Sequence, residues 1–258
     1  MKAIRRPWSM NRSLAMALLL LYLALLGAIA ACGRGDDDYG QSTPPAGEFT
    51  SVSAGDNHTC EVRRDGTVAC WGYDQYGQST PPTGEFESVS GGFHHTCGVK
   101  RDGTVACWGY DQYDQSTPPA GKFTSVSAGF YHTCGVGRDG TIACWGQDVS
   151  GRATPPGGEF TSVSAGDNHT CGVRRDGTAT CWGHDEDGQS TPPAGEFISV
   201  SAGDNHTCGV RRDGTVACWG RDVFGQSTPP AGEFTSVSAG FYHTCGVRRD
   251  GTAACWGR

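Results

Sequence analysis

The stretch His206–Gly220 reads HTCGVRRDGTVACWG and places two cysteines, Cys208 and Cys218, ten positions apart around an Arg-Asp-Gly turn. Near-copies of this stretch occur six times in the 258-residue chain. A three-residue hairpin loop with glycine in the left-handed conformation suits this turn. In that register the two cysteines of a copy face each other, with Cβ atoms roughly 4.5–5.5 Å apart. The pattern therefore predicts an antiparallel hairpin with a disulfide across it.

Each of the six hairpins is expected to carry such a bond, because an exported chain meets oxidising conditions. The predicted pairs are Cys60–Cys70, Cys97–Cys107, Cys134–Cys144, Cys171–Cys181, Cys208–Cys218 and Cys245–Cys255. Each bridge closes a short loop and is expected to contribute on the order of 2–3 kcal/mol. Zinc is the competing interpretation, but zinc sites use closely spaced cysteine pairs. No metal is therefore predicted.

The copies form a strict repeat of 37 residues, opened by Phe49, Phe86, Phe123, Phe160, Phe197 and Phe234. The sixth copy stops at Arg258, and the segment it lacks stands at the other terminus, in residues 37–48. Short strands at this period, separated by Gly and Pro, predict an all-β β-propeller. Six blades are expected, closed into a ring by N- and C-terminal segments that share one blade. The proline-ended GQSTPP segment is an edge strand or a plain connector.

Packing between blades is expected to use the two faces of each hairpin. In the fifth copy, Gly209 and Ala217 are small and leave room for a large neighbour. The tryptophan after each second cysteine, such as Trp71, is the predicted partner between blades. The first copy has Glu61 in place of this glycine, which predicts different packing for that blade.

The run V-S-A-G-x-x-H-T-C-G-V-x-x-D-G-T-x-A-C-W-G-x-D-x-x-G-Q resembles the regulator of chromosome condensation repeat throughout residues 37–258. The resemblance implies a β-propeller, with the seven blades of well-known members as the alternative to six. It also implies a docking scaffold, and the cysteine pairs resemble the exported bacterial type. The founding member is a nucleotide exchange factor for a small nuclear GTPase and binds chromatin. An exported acidic chain meets neither partner, so that activity is not expected here.

Residues 1–31 have a basic start and an apolar run, Leu14–Ala31, typical of a signal peptide or a short membrane anchor. The end of the run, Ile29-Ala30-Ala31-Cys32, resembles the bacterial lipoprotein box, which implies cleavage before Cys32 and a lipid on its thiol. We therefore predict a lipoprotein signal peptide (1–31), a tether (32–36) and the propeller (37–258). An uncleaved anchor and ordinary secretion are the alternatives. All three place the propeller outside the cytoplasm, in the cell envelope or secreted.

Charge argues against a nucleic-acid partner. All 27 acidic residues follow residue 31, whereas four of the 20 basic residues precede it, so the remaining chain carries a net charge of about −11. A net negative surface repels phosphate backbones. The expected partner is instead a protein or a glycan, and the chain is expected to reach the membrane only through its N-terminal lipid or anchor.

The copies differ mainly in two loops, one after the first strand and one after the Trp-Gly pair. Alternating strands place both loops on one side of the ring, whereas the hairpins with 11 basic residues point the other way. Aromatic residues beside polar groups are typical of interaction surfaces. The candidate partner-binding residues are Tyr73, Tyr76, Phe93, His94, Tyr110, Tyr113, Phe130, Tyr131, Phe224, Phe241 and Tyr242. Neutral drift after recent duplication is the alternative explanation of this variation.

Two polar sets repeat in every copy and are interpreted as structural. One histidine per copy is expected to make a buried hydrogen bond, with a metal-lined channel as the alternative. One aspartate after each Trp-Gly is expected to cap its own turn, with calcium as the alternative. No asymmetric catalytic set stands out, so no catalytic residue or cofactor is predicted. The sequence favours a non-enzymatic binding scaffold over a structural or adhesion protein, and both over an enzyme or an exchange-factor-like regulator.

Overall fold

The computed structural model describes residues 37–258, which form one compact unit. The predicted signal peptide, the tether and the lipidation site Cys32 lie outside the described residues. Within residues 37–258, the regular structure is eighteen short strands and one 3-10 turn at Val149–Gly151. No helix in this part of the chain is long and apolar enough to cross a membrane.

The strands form six antiparallel three-stranded sheets, and each sheet is a blade made from one repeat. Blades 1 to 3 consist of β1 (Phe49–Ala54), β2 (His58–Arg63) and β3 (Val68–Gly72); β4 (Phe86–Gly91), β5 (His95–Lys100) and β6 (Val105–Gly109); and β7 (Phe123–Ala128), β8 (His132–Gly137) and β9 (Ile142–Gly146). Blades 4 to 6 consist of β10 (Phe160–Ala165), β11 (His169–Arg174) and β12 (Ala179–Gly183); β13 (Phe197–Ala202), β14 (His206–Arg211) and β15 (Val216–Gly220); and β16 (Phe234–Ala239), β17 (His243–Arg248) and β18 (Ala253–Gly257). The GQSTPP segments are connectors. The predicted all-β propeller with six blades is confirmed.

The second and third strands of each blade form the predicted hairpin. In blade 1, Cys60 pairs with Cys70, and the Arg63 N–H donates to the Thr67 carbonyl at 2.8 Å. Gly66 has a φ of +86°, the left-handed conformation that this loop requires. All six predicted disulfides are formed. The local sequence of one repeat is thus enough to set the register of its hairpin.

The hydrophobic core lies between blades rather than inside them. Cys60 and Val62 of blade 1 pack against Phe86 and Trp108 of blade 2, whose ring centroids lie 5.9 Å apart in an edge-to-face contact. Phe86 is 2% exposed, and the phenylalanines that open the four later repeats are also buried, so they are core residues, which the sequence analysis did not assign. A Cβ atom on Gly98 would lie 2.7 Å from the Phe86 ring. Glycine at this position therefore makes room for the ring.

Buried polar bonds also join neighbouring blades. His58 Nε2 of blade 1 shares a hydrogen bond with Thr96 Oγ1 of blade 2 at 2.7 Å, and the Asp56 N–H donates to the Gly92 carbonyl at 3.2 Å. The same histidine bond recurs at the next four boundaries, as His95–Thr133, His132–Thr170, His169–Thr207 and His206–Thr244. Burial is the main cause that lowers the pKa of His95 to about 3, so this ring is neutral. The structural role predicted for these histidines is confirmed at five boundaries.

Each connector is fastened to the blade that follows it. The Gln78 carbonyl accepts hydrogen bonds from the Trp108 indole N–H at 2.9 Å and the Thr96 hydroxyl at 3.0 Å. At the start of the same connector, the two Asp74 carboxylate oxygens accept from the Ser79 N–H and the Thr80 hydroxyl, both at 2.7 Å. The repeated aspartate therefore caps its own turn, as predicted.

Blade 6 and blade 1 do not meet as the other neighbours do. Residues 37–48 keep the predicted phase, because the Gln41 carbonyl accepts from the Trp71 indole N–H at 2.9 Å as Gln78 does for Trp108. Within residues 37–258, however, none of the histidine or backbone bonds that join the other blades links blade 6 to blade 1. Val52 of blade 1 is 67% exposed and Val247 of blade 6 is 41% exposed. The expected closure of the ring is not observed, and we call this junction the open boundary.

Glu61 gives a physical reason for the departure on the side of blade 1. Its side chain is only 1% exposed and occupies the place of the glycine that makes room for phenylalanine in the other blades. Phe49 is half-buried, unlike the fully buried Phe86. The Glu61 carboxylate accepts no hydrogen bond and lies 3.9 Å from Arg63 Nε, and burial raises its pKa. Blade 1 therefore presents a different surface to the open boundary, as its sequence predicted.

Candidate interaction face

The two variable loops of every blade lie side by side. The Tyr73 N–H donates to the Asn57 carbonyl, and the Tyr110 N–H to the His94 carbonyl, both at 2.8 Å. The equivalent backbone bonds in the other four blades are Gln147–Tyr131, His184–Asn168, Arg221–Asn205 and Arg258–Tyr242. The two loops thus share one side of the propeller, as predicted. We call this side, residues 56–57 and 73–76 with their equivalents, the variable face.

On blades 1 to 3 the variable face is a continuous cluster of rings, which we call the aromatic arc. Tyr39 contacts Tyr73 with ring centroids 4.8 Å apart, and Tyr76 contacts Tyr110 at 5.0 Å. The arc consists of Tyr39, Tyr73, Tyr76, Phe93, His94, Tyr110, Tyr113, Phe130 and Tyr131. Eight of the predicted candidates therefore belong to one connected surface.

The other three candidates form a separate group on blades 5 and 6. The rings of Phe224 and Tyr242 have centroids 5.3 Å apart, and those of Phe241 and Tyr242 lie 4.5 Å apart. The Arg258 guanidinium lies 5.4 Å from the Phe224 ring centroid. Within residues 37–258, no ring contact joins this group to the aromatic arc. The structure therefore divides the predicted candidates into two patches.

Blades 4 and 5 give the variable face a polar sector. The Asp204 carboxylate accepts from the side-chain amides of Asn205 at 2.7 Å and Asn168 at 3.4 Å. Arg152, only 3% exposed, donates from Nη1 to the Asp167 carbonyl at 2.8 Å. The sequence analysis missed Arg152, although it replaces the glutamine that the other copies carry at this point of the repeat.

The loops after the six first strands surround a central cavity of about 560 Å³. Its walls are mainly glycine and alanine at the strand ends. The side chains at its rim are, in blade order, Asp56, Phe93, Phe130, Asp167, Asp204 and Phe241. Blade 6 also contributes His243 and Cys245 to the lining. The variable loops therefore decide the chemistry of this cavity.

The carboxyl groups around the cavity have perturbed pKa values. Burial, reinforced by repulsion from Asp204 and Asp56, raises the pKa of Asp167 to about 7. Burial also raises the pKa of Asp56 and of Asp204. The nearby Arg152 guanidinium opposes the rise at Asp167 without cancelling it. Burial therefore disfavours the ionised form of all three carboxyl groups, Asp56, Asp167 and Asp204.

The opposite side of the propeller carries the basic hairpins. Arg175 Nη1 lies 2.8 Å from a Glu159 carboxylate oxygen, and Arg212 Nε lies 2.9 Å from one of Glu196. Equivalent pairs are Arg64–Glu48, Arg101–Glu85 and Arg249–Glu233. These pairs are largely exposed, and such surface ion pairs contribute little to stability. In five of the six blades the hairpin side therefore carries the same arginine–glutamate pair, whereas in blade 3 Lys122 stands in place of the glutamate and pairs with Asp102.

Comparison with known proteins agrees with the repeat and the fold. The family model described as "Regulator of chromosome condensation (RCC1) repeat" matches residues 49–78, 86–115, 123–152, 160–189, 197–226 and 234–258. The chain belongs to this repeat family. Comparison with the curated proteins finds no match. The family membership confirms the resemblance, whereas a bacterial exported origin stays a prediction.

Two plant receptor-kinase ectodomains are similar to this propeller. The ectodomain of the Physcomitrella patens receptor kinase CR4 is 28% identical with a TM-score of 0.73, over 83% of this chain and 63% of that chain. This chain thus spans less than two thirds of the moss ectodomain. The CRINKLY WD40 ectodomain of the Arabidopsis thaliana receptor kinase ACR4 is 29% identical with a TM-score of 0.71, over 83% of each chain. Together with the six disulfides, these ectodomains indicate an extracytoplasmic location.

A more distant structure supports the fold alone. Prp20p from Saccharomyces cerevisiae is 16% identical with a TM-score of 0.71, over 80% of this chain and 71% of that chain. At this identity the likeness extends to the propeller architecture and to nothing further.

Proposed function

We propose that this protein is a non-enzymatic binding scaffold that holds a protein or glycan partner against its variable face. The observation that carries the proposal is the aromatic arc, which gathers nine rings on one side of a nearly uniform frame. Tyr39 and Tyr76 are 52% and 41% exposed. Large aromatic side chains with polar tips are enriched at the energetic centres of interfaces.

The repeated polar residues support a role without catalysis. The histidines of blades 1 to 5 are engaged in buried bonds to threonine hydroxyls, such as His95 to Thr133 at 2.8 Å. The repeated aspartates are engaged by their own turns, as Asp111 is by Ser116 and Thr117. Catalysis usually depends on one asymmetric set of groups with a nucleophile, an acid or a base in reach. The proposal therefore includes no catalytic residue and no cofactor.

We place the scaffold at the surface of a bacterial envelope membrane, tethered by a lipid on Cys32 after removal of residues 1–31. Tyr39 of the aromatic arc stands seven residues after Cys32 in the sequence. A lipid at Cys32 would hold the variable face close to the membrane, which favours a partner in the same envelope. Mass spectrometry of the mature N-terminus tests the tether: a diacylated Cys32 is expected, and retention of residues 1–31 contradicts it.

A structural or adhesive role through self-association is the second candidate, and the open boundary favours it. Val52 and Val247 lie on blade faces that are packed in pairs elsewhere in the propeller. Sedimentation of the full chain separates the two candidates. Association that grows with concentration and is lost in Val52→Asp would support the adhesive role. A protein that stays monomeric at all concentrations would contradict the adhesive role and leave the binding scaffold as the proposal.

Capture from an envelope fraction of the producing organism tests the binding scaffold. Tyr110→Ser with Tyr113→Ser removes two rings of the aromatic arc, whereas Arg212→Ser with Arg249→Ser changes the hairpin side as the matched control. We expect one identified partner to be retained by the wild type and by the control, and to be captured at least about tenfold less by the arc variant. Direct binding of the purified partner must show the same order. Equal capture by all three proteins contradicts the proposal.

A further inference from the structure

Blade 3 lacks a side chain that four other blades place over the phenylalanine that opens their repeat. In blade 2, Lys100 Nζ lies 5.8 Å from the centroid of the Phe86 ring. In blades 4 to 6 the covering group is an arginine guanidinium at 4.7 to 5.0 Å, and the pairs are Arg174–Phe160, Arg211–Phe197 and Arg248–Phe234. Blade 3 has Gly137 at this position, paired with Phe123 across the strands. The Phe123 ring is therefore left without the cation that covers its equivalents.

The space of the missing arginine is a cavity of about 390 Å³ on the hairpin side, lined by Phe123, Gly121 and Gly137 among others. We call it the blade-3 slot. In blade 5 a Cβ atom on Gly195 would overlap the Arg211 guanidinium, whereas the atoms nearest to a Cβ on Gly121 belong to the Phe123 ring, at 3.4 Å. Phe123 is 6% exposed, against 1–2% for the phenylalanines that open the repeats of blades 2, 4, 5 and 6. The slot therefore has the place of an arginine side chain that other blades fill themselves.

A backbone carbonyl in the slot also lacks its usual donor. Arg211 Nη1 donates to the Ala194 carbonyl at 3.0 Å, and Arg248 Nη1 donates to the Ala231 carbonyl at 2.9 Å. The equivalent residue in blade 3 is Ala120, which lines the slot. Among residues 37–258, no group donates a hydrogen bond to the Ala120 carbonyl. Blade 3 thus keeps the acceptor that receives a guanidinium in blades 5 and 6.

The aspartate of the hairpin turn brings negative charge to the slot. A Cβ atom on Gly137 would lie 2.8 Å from Asp139 Oδ1, so this carboxylate stands at the mouth of the slot. Hydrogen bonds from Thr141 are the main cause that lowers the pKa of Asp139, and no cation of the described chain adds to it. In blades 4 to 6 the covering arginine lowers the pKa of the equivalent aspartate further, beyond the threonine hydrogen bonds. A guanidinium in the slot restores this attraction.

The two cations at the rim of the slot lean toward blade 2. Lys122 Nζ lies 3.4 Å from an Asp102 carboxylate oxygen of blade 2. Arg138 Nη2 lies 3.0 Å from the place of a Cβ on Gly103, in the turn of the same blade. Within residues 37–258, neither cation lies over the Phe123 ring. The chain therefore does not fill the slot with a cation of its own.

We propose that the blade-3 slot binds an arginine side chain of a protein partner, with the guanidinium over the Phe123 ring and donating to the Ala120 carbonyl. The inference goes beyond the proposed function, because the slot lies on the hairpin side and not on the variable face. A planar guanidinium stacks on an aromatic face and donates directed hydrogen bonds at the same time. An apolar ligand leaves the carbonyl unpaired, and an anion meets the charge of Asp139.

NMR titration of the full chain with a capped Gly-Gly-Arg-Gly-Gly peptide tests the slot, followed at the backbone amides of Gly121 and Gly195. Gly137→Arg fills the slot from within, as blades 4 to 6 do. Arg211→Gly opens the equivalent slot in blade 5, and Arg212→Gln is the matched control that opens none. A peptide with citrulline in place of arginine keeps the shape of the side chain and removes its charge.

We expect the arginine peptide to shift the Gly121 amide alone in the wild type and in Arg212→Gln. In Arg211→Gly it should shift the Gly195 amide as well. Gly137→Arg should weaken binding at Gly121 at least about tenfold, and the citrulline peptide should bind the wild type roughly tenfold more weakly than arginine.

Three results would overturn the slot. One is equal binding of the citrulline and arginine peptides, and the second is an unchanged affinity of Gly137→Arg. The third is tighter binding of a peptide with glutamate in place of arginine, because the cations of the rim would then decide the ligand. If Arg211→Gly fails to fold by near-ultraviolet circular dichroism, Gly137→Arg decides alone, since four other blades carry arginine at this position.

Agmatine, a small free guanidinium compound, distinguishes the source of the ligand. Tighter binding of the peptide than of agmatine supports a protein partner, whereas equal or tighter binding of agmatine overturns it. Tyr110→Ser with Tyr113→Ser leaves the slot intact, so this variant should bind the arginine peptide as the wild type does. The slot and the proposed function can therefore fail separately.

Discussion

The five packed blade boundaries and the open boundary are made from the same repeat, yet they bury very different surfaces. Between blades 2 and 3, His95 and Cys97 are 0% exposed, and the His95 ring shares a hydrogen bond with Thr133 of the next blade. At the open boundary the equivalent His243 is exposed, and Val247 is 41% exposed. On the side of blade 6 the repeat sequence is the ordinary one, so the difference there comes from the missing neighbour. Each inner blade contributes one face to the core that it shares with the preceding blade and the other face to the core that it shares with the following blade, as nearest-neighbour models of repeat proteins assume.

The contrast separates two contributions to stability, the bonds within one blade and the packing of that blade against its neighbour. The hairpin, its disulfide and its turn are formed equally in blade 6 and in blade 3. Only the packing of the outer face differs. Matched substitutions at equivalent positions therefore measure what a neighbouring blade adds.

The largest expected difference concerns the tryptophans. Trp145 is 8% exposed and packs in a core cluster with Cys97 and Phe123 across a packed boundary, whereas Trp71 is half-buried beside the open one. Both indoles donate the same hydrogen bond to a connector carbonyl, so the pair is matched. We expect Trp145→Ala to lower the free energy of unfolding by about 3–5 kcal/mol and Trp71→Ala by clearly less. Urea denaturation of the full chain measures both. Equal losses of unfolding free energy in the two variants would show that the neighbouring blade adds nothing at this position.

The disulfides give the next test. Every bridge closes a loop of the same length, so replacing Cys134 and Cys144 by serine, or Cys245 and Cys255, should lower stability by similar amounts of about 2–3 kcal/mol. Access differs, because Cys134 is 0% exposed whereas Cys255 is exposed. Graded reduction followed by alkylation and mass spectrometry should show Cys245–Cys255 opening first. Simultaneous opening of all six bridges would show that blade 6 is as protected as the others.

The pH dependence of stability should report the burial of His95. The ordinary pKa of histidine is 6.5, and burial lowers that of folded His95 to about 3. Its unfolded imidazole therefore takes up a proton as pH falls below about 6.5 while the folded one does not. This contribution to stability is complete above pH 6.5 and is lost towards pH 3, at up to about 1.4 kcal/mol per pH unit.

We therefore expect His95→Gln to flatten the acid slope of the unfolding free energy. Denaturation curves recorded across the acid range measure the slopes. An unchanged slope in His95→Gln would mean that the His95 ring is protonated in the fold.

Substitutions on the hairpin side should change stability least, and by the same amount in blade 5 as in blade 6 beside the open boundary. Arg212 pairs with Glu196 in blade 5, and Arg249 pairs with Glu233 in blade 6, with all four side chains more than half exposed. Arg212→Gln and Arg249→Gln should each change stability by no more than about 0.5 kcal/mol. Thermal unfolding of both variants checks the expectation. A much larger loss in one of them would place a blade contact on this side.

The hairpins were predictable because their register depends on residues within about ten positions. Gly66 fixes the turn, and the opposed Cys60 and Cys70 follow from it. The two variable loops were also predictable, since alternating strand direction in one blade places both on one side. Closure of the ring was not predictable, because it depends on rotations between blades that add up over the whole chain. Glu61 was the one local sign that blade 1 differs.

The positions of the candidate site could be predicted from the sequence, but their contacts, burial and pKa values could not. Comparison of the copies finds Phe93 and Phe130, yet their stacking depends on the spacing between two blades. The burial of Arg152 and the raised pKa of Asp167 arise in the same way, from groups on neighbouring blades. Such properties follow from three-dimensional proximity, which a single repeat does not specify.

The most direct test of the central claim, that recognition lies in variable loops on a shared frame, exchanges a loop between blades. Phe130→Asp with Tyr131→Asn gives blade 3 the Asp-Asn pair that blade 5 carries at Asp204 and Asn205. The affinity of the identified partner for the full chain is then measured by calorimetry. We predict a variant that still folds, as judged by near-ultraviolet circular dichroism, and binding weakened at least about tenfold. Unchanged affinity in the folded variant would contradict the claim.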